Sequence, residues 1–129
     1  MKLNPDCIRD ILLEIEVQTG NEQVFYYADD IHEKFVRLSK YSVDTIMYHI
    51  RQCSLSELIY NPHWTSSTSV YIQDLSPAGH EFLTNIRNDT FYNKVKDIGK
   101  ELGLTSLNDL VQIAANCAVM VIKSHFNLL

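Results

Sequence analysis

The sequence predicts an α+β, mostly helical fold: a winged helix-turn-helix with a small antiparallel sheet, followed by C-terminal helices. Three observations predict it. Apolar residues recur with helical spacing in six separate segments. Short runs of β-forming residues lie at 23–27, 57–60 and 70–73. The stretch between the last two, residues 61–69 (NPHWTSSTS), is rich in turn formers and reads as a hairpin loop.

Each element has its own signal. Asn4-Pro5 supplies an N-cap side chain and a proline at the first helical position. Ile8, Ile11, Leu12 and Ile15 follow at helical spacing, and Gly20 closes the segment. After the strand at 23–27, Asp29 and Asp30 suit the positive end of a second helix, with Ile31, Phe35 and Leu38 facing inward. Ser42 caps a third helix whose inner face is Val43, Ile46, Met47, Ile50 and Cys53. The order helix, strand, helix, helix, strand, loop, strand is that of a winged helix-turn-helix.

Beyond Asp74 the pattern turns helical again. Ser76-Pro77 opens a helix carrying Phe82, Leu83 and Ile86, and a second carries Phe91, Val95, Ile98 and Leu102 with Gly103 as its stop. A last helix is capped at Thr105 or Ser106. Leu107, Leu110, Val111, Ala114, Cys117, Ala118, Val121 and Ile122 fill one face, while Ile113, Val119 and Met120 widen it beyond an ordinary stripe. Such a helix needs cover on most sides, from a second copy of the chain or from its own helices. The predicted organisation is a winged-helix domain at 1–75 and a helical extension at 76–129 packing on it as one structural unit.

Composition bounds the function. The 129 residues suffice for one core without metal or disulfide staples. Three widely spaced cysteines form no C-x-x-C pair, which points to a reduced cytoplasmic setting and no zinc finger. The richest apolar run, residues 110–122, is too short to span a membrane. His32-Glu33 begins an H-E-x-x pattern, but Val36 occupies the place of the second metal histidine. No Gly-rich phosphate loop or nucleophile elbow occurs. No catalytic residue, metal site or cofactor is therefore expected, and the chain reads as a non-enzyme.

Residues 8–16 (IRDILLEIE), 48–50 (YHI), 75–83 (LSPAGHEFL) and 86–96 (IRNDTFYNKVK) form a recognisable set. Together they resemble a bacterial and phage family catalogued as domain of unknown function 2513. The resemblance implies a winged-helix-like fold and frequent prophage or phage origin, and it implies no activity. Two positions depart from the family pattern. Glu57 stands where a glycine commonly precedes the Leu-Ile of the second strand, and Tyr92 stands where Trp is more frequent.

A winged helix that reads duplex DNA places its third helix in the major groove. Here Lys40, Thr45, Tyr48, Arg51 and Gln52 are the residues for that role; His49 sits on a flank of the same helix. Lys34, Arg37, Lys40 and Arg51 oppose only Asp44 over residues 34–52, a local excess of three positive charges. Residues 1–75 nevertheless carry 11 acidic against 6 basic side chains, the whole net charge of −5, and the loop has no Lys or Arg. A phosphate-binding surface calls for the opposite balance. Two functions thus stand: a DNA-binding regulator, or a module that binds or inhibits a host protein. For partner contacts the candidates are Trp64 in the loop, whose ring either anchors a partner or folds back over the sheet edge, and Ile113 and Met120 for a homodimer through the last helix.

Overall fold

The computed structural model describes residues 1–103 and 106–126. The chain forms two compact units, Met1–His80 and Glu81–Leu129.

In the first unit, α1 (Pro5–Gln18) starts where the sequence places it: the Asn4 side chain accepts from the backbone N–H groups of Asp6 and Cys7. Cys7, Ile8, Ile11, Leu12 and Ile15 are buried along one face. β1 (Phe25–Ala28) leads into a 3-10 helix (Asp29–Lys34), and α2 (Val43–Leu55) follows, capped by Ser42. Then come four short strands, β2 (Ile59–Tyr60), β3 (His63–Ser66), β4 (Ser69–Ile72) and β5 (Asp74–Leu75). β1, β4 and β3 form an antiparallel sheet in that order, and β2 pairs separately with β5. Helices and a small antiparallel sheet thus follow the order read from the sequence except at two places.

Two expectations need correction. The second helix is not α-helical. Phe35 is extended (φ −92°, ψ 97°), which ends the 3-10 turns and sets its ring 5.7 Å from those of Phe25 and Tyr27. Phe35 and Leu38 are buried as expected, but they enter the core from turns. The segment 61–69 is also not all loop. His63–Ser66 forms the hairpin partner of β4, so the strand at 57–60 shrinks to Ile59–Tyr60 and pairs with β5 instead. Ser and Thr serve both turns and strands, and here the ladder decides.

α3 (Pro77–Ile86) begins in the first unit and continues into the second, where it buries Phe82, Leu83 and Ile86. α4 (Asp89–Leu102) ends at Gly103, whose φ of +69° is the left-handed cap expected of it. Its buried residues are Tyr92, Val95 and Gly99. The inward face is thus rotated from the expected Phe91, Val95, Ile98 and Leu102, and Leu102 is 62% exposed. α5 (Leu107–His125), capped by Ser106, packs against α4. No helix among the described residues is long and apolar enough to cross a membrane.

Candidate functional site

The site is built on α2 and the hairpin. Helical periodicity turns Ile46, Met47, His49, Ile50 and Cys53 inward. Asp44, Arg51 and Leu55 are exposed on the other side, with Thr45, Tyr48 and Gln52 half-buried between. Trp64 lies on the edge strand opposite Val70, which itself lies opposite Tyr27. Opposed residues of an antiparallel ladder share a face, so Trp64 points to the inner side of the sheet, where it is half-buried. The Arg51 guanidinium stacks on that ring, 5.1 Å from its centroid. Arg51, Ser54, Leu55 and Trp64 line an open groove of about 260 Å³. Leu55, the last residue of α2, is 76% exposed at the rim of this groove.

The residues expected to contact DNA do not converge in this way. Lys40 is drawn to α1, where its ammonium sits 3.0 Å from Asp10. The Tyr41 hydroxyl donates to the same carboxylate at 2.6 Å. Arg37 likewise pairs with Glu14 at 3.1 Å. These two carboxylates, one turn apart on α1, reduce the local excess from three positive charges to one. The Thr45 hydroxyl is hydrogen-bonded to Ser42 at 2.8 Å, and the Tyr48 ring stands edge-on to His49. Of the five predicted DNA residues, only Arg51 joins the groove, alongside the separately predicted Trp64. Leu55 and Ser54 escaped the sequence reading, although Leu55 breaks the polar side of its helix and was visible in that respect.

The buried reactive groups are held in unreactive forms. Burial pushes the Cys7 thiol up to about 12 and raises the Cys53 thiol as well, so both stay protonated at neutral pH. The Tyr27 hydroxyl is spent on His32 Nδ1 at 2.7 Å in the core. His80, within the family-like stretch, makes a local contact with Asp74 at 3.2 Å. Among the described residues no group of three His, Cys, Asp or Glu side chains is placed to hold a metal ion.

The partner residues on the last helix separate. Ile113 is only 7% exposed, covered within its own chain together with Leu107, Leu110, Ala114 and Cys117, and so drops out of the partner surface. Met120 is 61% exposed, and Val119, Val121, Ile122 and Phe126 are exposed with it. The buried residues of α5 end at Cys117, and α5, with 19 residues, is longer than α4, with 14.

A family model described as "Hypothetical protein (DUF2513)" matches residues 2–105. An uncharacterised protein of Haemophilus influenzae is 32% identical over 117 residues, covering 88% of this chain and 92% of that protein. No solved structure matches.

Proposed function

The chain belongs to the DUF2513 family, and we propose that it is a non-enzymatic, winged-helix-type module that binds a protein partner through the α2–hairpin groove. The stacked Arg51–Trp64 pair beside exposed Leu55 carries this reading. Trp and Arg are among the residue types that dominate protein interfaces. The pairing of Arg37 with Glu14 and Lys40 with Asp10 offsets two of the cations that phosphate contacts would use.

Duplex DNA binding is the second reading. It is favoured by Arg51 of α2 lying against Trp64 of the hairpin, with Thr45, Tyr48 and Gln52 half-buried on the same helix. Titrating a labelled mixed-sequence duplex at low and moderate salt separates the two. The partner reading expects no salt-sensitive affinity. It also expects a photo-cross-linker placed at Leu55 in cells to capture a discrete protein, with the adduct lost on Arg51→Ala. Salt-sensitive duplex binding that falls on Lys40→Ala and Arg51→Ala would establish the DNA reading instead.

The homodimer now rests on Met120 and its exposed neighbours rather than on Ile113. Apolar side chains exposed together at one helix end suit burial against a second copy of the chain. Light scattering should give twice the chain mass, reduced to one by Met120→Glu. A monomer at high concentration removes the dimer without touching the groove.

A further inference from the structure

A second surface lies on the outer face of the three-stranded sheet. The ladder sets Tyr26 opposite Tyr71 and Tyr71 opposite His63. These side chains therefore share one face, the reverse of that holding Phe25, Tyr27, Val70 and Ile72 in the core. The Tyr26 and Tyr71 rings lie 4.4 Å apart, inclined at 33°, and Tyr71 is 41% exposed. Such a cross-strand pair stabilises the sheet, and here it also presents ring surface to solvent.

The charge beside this pair is negative. β1 runs straight into Asp29 and Asp30, both exposed, and the Asp29 N–H donates to the Thr68 carbonyl at 3.2 Å, which fixes this corner against the hairpin turn. The Tyr26 phenol is raised above its ordinary value by burial first, then by the Asp30 charge, with Tyr71 and Asp29 adding to it. Asp29 and Asp30 lie three and four positions beyond Tyr26, at the end of the same strand, and act on its phenol. Aromatic faces attract cations, and a neighbouring carboxylate reinforces the attraction. Stacked tyrosines also suit single-stranded nucleic acid, but such sites combine them with a positive groove. Here the neighbouring charge has the wrong sign, and residues 1–75 hold the entire net charge of −5.

We propose that Tyr26 and Tyr71, flanked by Asp29 and Asp30, dock an arginine- or lysine-rich segment of a partner protein. The guanidinium or ammonium groups lie over the tyrosine rings and pair with the two carboxylates. This surface is separate in residues from the Arg51–Trp64 groove and stands or falls independently of it.

Fluorescence anisotropy of a labelled oligo-arginine peptide tests the proposal, with labelled oligo-glutamate and oligo-thymidine as comparison probes. The basic peptide should bind alone among the three, more weakly as salt rises. Tyr71→Thr, which keeps a strand-forming residue, should weaken it about fivefold, and the double change Asp29→Asn with Asp30→Asn should weaken it at least as much. Arg51→Ala should leave it unchanged. Circular dichroism confirms that each variant is folded, and the Asp pair lies on exposed positions should Tyr71→Thr fail. Absence of binding at low salt, binding indifferent to the folded variants, or preference for oligo-thymidine each overturns the proposal.

Discussion

His49 Nε2 accepts a hydrogen bond from the backbone N–H of Asn4 at 2.8 Å, tying the cap of α1 to the middle of α2. Because that nitrogen accepts, it carries no proton, and Nδ1–H donates to the Thr45 carbonyl at 2.7 Å. Burial lowers the His49 pKa from 6.5, while the Thr45 bond works the other way. The fold therefore favours the neutral ring. The stability it contributes is fully present above pH 6.5 and is lost as pH falls through the depressed value. Thermal melts between mildly alkaline and mildly acidic pH should show Tm dropping on the acid side. His49→Gln should melt lower at neutral pH and lose much of that slope. An unchanged slope would place the acid sensitivity elsewhere.

Gly79 explains one of the family-like positions. A Cβ built there would lie 2.0 Å from the Leu58 carbonyl oxygen, a backbone atom that also accepts from Ser76 N–H. Alanine would gain about 1 kcal/mol in helix propensity. That gain is outweighed by displacing backbone that anchors the start of α3. Gly79→Ala should destabilise by about 2 kcal/mol or more, read as a lower urea midpoint with little change in slope.

The capped helices were legible in sequence because a cap is a local event. Asn4, Ser42 and Ser106 each accept the N–H groups that spacing assigns them. Residues 29–40 were not, since a helical reading cannot anticipate that Phe35 gains more by turning out of the helix toward Phe25 and Tyr27. The site was half legible. Arg51 and Trp64 were each identified, but for different tasks, and only the β3–β4 ladder brings them together. His49 read as a flank residue because nothing local shows that Asn4 lies over it. The partners of Lys40 and Arg37 lie 30 and 23 positions away on α1.

That last pairing makes its own prediction. If Asp10 and Glu14 neutralise the strip, replacing them by Asn and Gln should release Lys40 and Arg37. Duplex affinity at low salt should then rise above that of the unmodified chain and fall again with added salt. Anisotropy with a mixed-sequence duplex reads this directly. Because the Tyr41 hydroxyl also donates to Asp10, Tyr41→Phe should cost about 1 kcal/mol of stability without raising DNA affinity. An equal rise in affinity for both variants would mean that loosening, not charge, is responsible.

Glu57 occupies the position where the family pattern favours glycine, and its φ is +59°. The reason is the end of α2. Leu58 N–H donates to the Cys53 carbonyl at 2.9 Å and Glu57 N–H to Ser54 at 3.0 Å, the paired bonds of a helix terminus closed by a left-handed residue. Leu58 then enters the core fully buried, so the turn cannot relax without withdrawing it. A side chain in this conformation costs about 1 kcal/mol that glycine avoids. Glycine's freedom in the unfolded chain offsets part of the gain. Glu57→Gly should therefore raise stability by roughly 0.5 kcal/mol, visible as a higher Tm, and Glu57→Val should lower it, because β-branching tolerates a positive φ least. A Gly variant less stable than the parent would mean that the Glu57 side chain contributes a contact larger than the strain it carries.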